Sequence, residues 1–281
     1  MKKMFLLFLF LLGSCAASSK KNVKPIVLVT IPPYAYFVQQ IAGDFAEVKI
    51  FVPPGANPHI YEPTPRQVEG FTRSTLWLRY GDPIELKILP FLREHQVKDI
   101  DLSEGFSLIC EHPCDHHHEG QDHHLWLDPV LAKEQARKIA DALSAAWPDH
   151  QSQFEAGFSA LSDRLTTLNQ KLSSELQSVK GSYLLLSHPA LGYYCHRYSL
   201  HQLSIECEGK DPLPRQIASI VQQARLKHVK VVLTEPQYST KGATLVAEKL
   251  QIPTANIDPY AFNYFDMLEQ ITQILIDHYD H

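Results

Sequence analysis

Residues 151–179 read QSQFEAGFSALSDRLTTLNQKLSSELQSV, and the fold turns on this stretch. Its apolar positions are Phe154, Phe158, Leu161, Leu165, Leu168, Leu172, Leu176 and Val179, at gaps that mostly alternate between four and three. No proline interrupts them, so they form one apolar stripe on a helix. At about 1.5 Å per residue, such a helix is a rod of roughly 45 Å. One small domain does not need a helix that long. A coiled-coil seam is the alternative, but α/β units flank the segment on both sides, which favours a buried internal strut.

Short apolar, β-branched runs recur on either side of it, at 26–30, 48–52, 76–80, 183–187, 229–234 and 254–258. Helical patterns separate most of them, and strands alternating with helices imply parallel sheets. The expected fold class is therefore α/β, with two lobes of parallel sheet joined by one long rigid helix. The N-terminal lobe spans 25–147, the linking helix 148–179 and the C-terminal lobe 180–281. No Gly/Ser linker separates them, so little relative motion is expected. Two helix starts are signposted. Thr64-Pro65-Arg66-Gln67 has the residues of a capping box, and Asp128-Pro129 caps the segment that follows.

Residues 1–14 read as a signal peptide, with Lys2 and Lys3 ahead of an apolar core at 4–12 that is too short to span a bilayer. It ends in Leu12-Gly13-Ser14-Cys15, so Cys15 is expected to carry a lipid anchor and 15–24 to act as a tether. Ordinary cleavage with Cys15 incidental is the alternative. Net charge is −5, and no dominant basic patch offers itself to nucleic acid. Five cysteines leave four after Cys15, and an exported chain is free to oxidise them. Cys195 with Cys207 and Cys110 with Cys114 is one of three pairings. Cys110 and Cys114 are alternatively thiolate ligands beside His112.

The fifteen histidines carry the functional signal. His59, His124 and His188 each lie in a loop before a helix or just after a strand, where open α/β sheets bind ligands. Asp258 ends the last strand and is the fourth candidate. Three imidazoles and a carboxylate can close a four-coordinate metal site between the lobes, which would leave no position for a catalytic water. Glu235, which follows another strand end, is expected to orient one imidazole or to bond within its loop. Residues 111–123 form a His-rich loop with few apolar side chains. His112, His116, His117, His118 and His123 are expected to bind zinc there more weakly, because loop ligands must be ordered on binding.

The ordered motifs Gly55–Pro65, His124–Pro129, Ser187–Tyr198, Thr234-Glu235-Pro236 and Ile257-Asp258-Pro259 run along nearly the whole mature chain. Together they resemble the periplasmic or lipid-anchored metal-binding proteins of zinc and manganese ABC importers. The resemblance implies a metal held between two lobes by His59, His124, His188 and Asp258, and delivery to a membrane permease. Family members that take manganese often carry Glu where His188 stands. Zinc members favour His there and commonly have a His-rich loop. The implied cargo is Zn2+, with Mn2+ or Fe2+ as alternatives, and the implied location is the outer side of a bacterial membrane. A monomer is expected. An exported metallohydrolase and an adhesin are the competing readings, although no His-Glu-x-x-His helix supports the first.

Overall fold

The computed structural model describes residues 24–110, 121–206 and 212–280. The signal peptide, Cys15, Cys114, Cys207, His112 and His116 to His118 lie outside them. Each half of the chain builds one four-stranded parallel sheet. In the first half the elements are β1 (Ile26–Val29), α1 (Pro32–Ala42), β2 (Glu47–Ile50), α2 (Pro65–Phe71), β3 (Leu76–Arg79), α3 (Leu89–Glu94), β4 (Lys98–Asp101) and α4 (Pro129–Ala146). The helix α5 (Gln151–Glu175) follows. The second half contains β5 (Tyr183–Leu186), α6 (Gly192–Tyr198), β6 (His201–Ser204), α7 (Pro214–Leu226), β7 (Val232–Thr234), α8 (Lys241–Leu250), β8 (Thr254–Asn256) and α9 (Tyr264–Tyr279). The sheet orders are β2-β1-β3-β4 and β6-β5-β7-β8, the same winding twice without an evident sequence repeat.

Strand alternation sorts the core. Val27 and Val29 of β1 face one cluster while Leu28 faces another. In β5, Leu184 and Leu186 likewise face the first cluster and Leu185 the opposite side. The cluster shared by Val27, Val29, Leu184 and Leu186 is one body, and α5 contributes Phe154, Leu161, Leu165, Leu168 and Leu172 to it. The stripe read in the sequence is thus the seam of a core common to both lobes. Short 3-10 turns at Pro148–His150 and Leu176–Val179 flank α5.

Both signposted helix starts form. The Thr64 hydroxyl accepts from the Gln67 N–H while Gln67 bonds back to Thr64, and Asp128 Oδ1 accepts from the Val130 N–H at 2.8 Å. Two strands were not anticipated, β4 and β6. They read Lys-Asp-Ile-Asp and His-Gln-Leu-Ser, and each is a partly exposed sheet edge with no apolar run to announce it. Among the described residues Cys195 is a free thiol buried in the shared core, where burial pushes its pKa up, and its candidate partner Cys207 lies outside them. Cys110 is exposed and, among the described residues, free. Among the described residues, no helix is long and apolar enough to cross a membrane.

Gly157 marks a close approach of α5 to α1, because a Cβ there would overlap the Ile41 backbone carbonyl. Helix propensity alone favours Gly→Ala by up to about 1 kcal/mol. Overpacking against backbone costs about 1–3 kcal/mol and should win. Gly157→Ala is therefore expected to lower the denaturation midpoint. Gly70→Ala, on α2 with open space around it, should raise or preserve it. A stabilised Gly157→Ala variant would contradict the packing described.

Candidate metal centre

The two sheets point their carboxyl ends at a common cleft, and the loops leaving those ends carry the histidines. His59 sits in the 3-10 turn Pro58–Ile60 beyond β2, and Asn57 holds the turn by accepting from the His59 N–H at 3.0 Å. His124 immediately precedes the 3-10 turn Leu125–Leu127 that leads into α4. His188 follows β5. One ring nitrogen from each lies within 4.8 Å of the others. His59 Nε2 and His188 Nε2 are 3.3 Å apart. Two nitrogens bound at about 2.0–2.1 Å to a tetrahedral zinc stand roughly 3.3–3.4 Å apart, so this pair already has the spacing of a coordination shell. His124 and His188 are buried and His59 is partly exposed.

Each imidazole carries its own carboxylate on Nδ1. His59 Nδ1 is 2.6 Å from Asp82 Oδ2, His124 Nδ1 is 2.8 Å from Asp122 Oδ1, and His188 Nδ1 is 2.9 Å from Glu206 Oε2. A carboxylate on Nδ1 places the proton there and leaves Nε2 as the basic, metal-facing atom. Burial works to raise the Asp82 pKa, but its hydrogen-bond partners, His59 foremost among them, together outweigh it. The Ile84 N–H and the Tyr80 hydroxyl help to hold this carboxyl below its usual range. Tyr238 stacks on His188 with ring centroids 4.1 Å apart and planes within 9°.

The other sequence candidates fall out differently. Asp258 lies outside the group of three. Its Oδ1 accepts from Gln237 Nε2 at 2.7 Å and from the Tyr260 N–H at 3.1 Å. Tyr260, read from the sequence as packing, places its hydroxyl 2.9 Å from His124 Nε2. Glu235 is fully buried, and the His188 backbone N–H works to lower its pKa. Burial first, then the charge of Glu206, pushes its carboxyl well above the usual range. At His188 the orienting role expected of Glu235 belongs to Glu206. His123 is not part of a free loop. Its ring is half-buried beside Gly81 and Ser103, where burial lowers its pKa. The roots of the His-rich loop are tied by an antiparallel bridge between Cys110 and Gln121 and by the Asp122 N–H bonding to the Ile109 carbonyl at 2.9 Å.

Asp82, Asp122 and Glu206 escaped the sequence reading. A signal existed for two of them. Asp82 and Glu206 stand just past the ends of strands, beside the loops that carry the histidines. For Asp122 the acidic composition of the preceding loop hid it. The lobes also meet through polar contacts around the centre. Trp126 Nε1 donates to the Pro259 carbonyl at 2.8 Å, Tyr193 donates to the Asp122 carbonyl at 2.9 Å, and Arg197 Nε donates to Asp128 Oδ2 at 2.8 Å.

Two parallel α/β lobes on a shared helix, with imidazoles meeting between their strand ends, define a bilobal protein built around a candidate metal centre. The chain belongs to the family of the periplasmic zinc-uptake complex component A, ZnuA, which it matches over residues 27–278. It is 29% identical over 270 residues to a Chlamydia trachomatis protein provisionally named as metal-binding, covering 95% of this chain and 96% of that one. The zinc-binding lipoprotein AdcA of Streptococcus pneumoniae is 27% identical over 277 residues, which cover 92% of this chain but 55% of AdcA. A zinc-bound ZnuA deletion mutant has a similar solved structure. It superposes with a TM-score of 0.85 at 29% identity, covering 92% of this chain and 99% of that chain.

The carboxylate pairs generate a test. Removing such a partner costs about 10–100-fold in metal affinity in known sites. Asp122→Asn and Glu206→Gln are each expected to weaken zinc binding within that range, measured by competition with a chromogenic chelator, while circular dichroism stays unchanged. Parent affinity in both variants would show that the pairs do not support the centre.

Proposed function

We propose that this protein captures zinc outside the cytoplasm with His59, His124, His188 and Asp258 and hands it to the permease of an ABC importer. The observation that carries the reading is the convergence of three imidazoles from both lobes, each on its own carboxylate. Imidazole donors suit zinc better than manganese, whose preferred ligands are oxygens. Asp258 joins as the fourth ligand by giving up part of its bonding to Gln237 and Tyr260, and the Tyr260 hydroxyl yields His124 Nε2 to the metal. Four protein ligands leave no site for an activated water, so the protein binds without turnover. Cys15 anchors the monomeric chain to the membrane through lipid. The His-rich segment between Cys110 and Gln121 gathers zinc weakly and passes it to His124.

The test is zinc titration of a protein lacking residues 111–120. The deletion must spare Asp122, which holds His124. One tight equivalent should remain. His59→Ala and His188→Ala in that background should each lose more than about a hundredfold in affinity, or about 2.7 kcal/mol. Asp258→Asn should lose about tenfold, because a neutral oxygen still reaches the metal. Manganese, as competitor, should not displace the bound zinc. Parent-like zinc binding by both histidine variants would show the site misassigned.

Protons compete with metal for imidazole nitrogen, so affinity should fall steeply between about pH 7.5 and 5.5, across the reference histidine value of roughly 6.5. A flat profile over that range would speak against histidine ligands.

A further inference from the structure

Beside the histidine centre lies a cavity of about 240 Å³ between the lobes. Asn57 and Ile60 line it from the N-terminal lobe, and Ser187, Glu206, Gln237 and Tyr238 from the C-terminal lobe. Glu206 borders the cavity and also bonds to His188 Nδ1, so the cavity abuts the centre through a shared residue. Two of its polar side chains are more than nine-tenths buried and have an atom without a hydrogen-bond partner among the described residues, namely Ser187 Oγ and Gln237 Oε1. Gln237 spends its Nε2 on Asp258 Oδ1, which commits Oε1 to accepting. No described lining residue carries a positive charge.

Buried acceptors without donors are costly unless a donor-bearing ligand or water occupies the space. Ile205, Pro212 and Ala243 form an apolar side of the cavity, and its polar side, with the Glu206 carboxylate and the Gln237 oxygen, suits something cationic and rich in hydrogen-bond donors. A divalent ion with six waters fits, since six waters take up roughly 180 Å³ at about 30 Å³ each. Its polarised waters donate to neutral oxygens and to a carboxylate without any metal–protein bond. We propose that this cavity is an entry site, where the incoming divalent cation is held through its hydration shell before shedding water into the histidine centre. This inference rests on the proposed zinc-binding function. Ile60, 73% exposed, forms part of the rim.

An entry site changes the rate of binding and of release together and leaves the equilibrium nearly untouched. The probe is hexaamminecobalt(III), whose ammine N–H groups donate but whose ligands do not exchange, so it binds through its outer shell alone. Calorimetry on the zinc-free full chain should find one equivalent bound. Zinc association, followed by stopped-flow fluorescence of Trp126, whose ring centroid is 5.2 Å from that of His124, should slow with this probe present. Ile60→Lys should abolish hexaamminecobalt(III) binding. It should also lower the zinc association rate constant at least about fivefold, with Kd changed less than about twofold, roughly 0.4 kcal/mol. Leu226→Lys adds the same charge at an exposed position outside the cavity and should behave like the parent. Absence of hexaamminecobalt(III) binding, or equal zinc association by the two lysine variants, overturns the entry site while leaving the zinc function standing. A parent chain without a tight zinc equivalent brings down both readings.

Discussion

The inner faces of the two sheets feed a single apolar core that also takes in the long helix between the lobes, and everything at the centre depends on that. Val27 and Val29 of β1, Leu184 and Leu186 of β5 and the leucines of α5 belong to one apolar cluster. Each sheet alone would leave half of its apolar surface in water, at a cost of about 25 cal/mol per Å². Sharing one core removes that cost and ties the two sheets, and with them their strand ends, to each other. The loops beyond those ends then have little freedom in where they place His59, His124 and His188.

The centre is prepared by charge as well as by shape. Three imidazoles close together would repel one another if protonated, and unpaired they would have no preferred ring orientation. The carboxylates of Asp82, Asp122 and Glu206 set the orientation and make the region attractive to cations. Their own burial is compensated by donors that have nothing to do with metal, such as the Tyr80 hydroxyl on Asp82 at 3.0 Å and the His124 N–H on Asp122 at 2.8 Å. Two kinds of polar group thus solve each other's desolvation problem. Glu235, buried nearby, has no such set of donors, and burial pushes its carboxyl well above the usual range.

Much of the fold was legible because burial leaves a periodic trace. The stripe from Phe154 to Val179 and the runs of β1, β3, β5 and β7 are apolar on the faces that meet the core. The edge strands β4 and β6 left no such trace, since one side of each faces solvent and side-chain polarity there is unconstrained. The histidines were legible because strand-end loops rarely gather imidazoles without a reason. Their carboxylate partners were not, because Asp and Glu are common on any surface and only the folded chain shows which ones turn inward. His123 shows the opposite error. Its sequence neighbours suggested a loop, while its packing against Gly81 places it on the body of the N-terminal lobe.

The repeated strand order of the two sheets carries an evolutionary consequence. Two halves with the same winding look like modules, yet neither has a complete interior without the other. Recombination that exchanged one half for a foreign copy would have to match the buried side chains of the shared core, those of α5 among them, at once. Change in this architecture is therefore channelled into the loops at the strand ends, where a single codon can replace a ligand without disturbing the helix beneath. Metal preference can drift by point mutation while the scaffold is inherited whole.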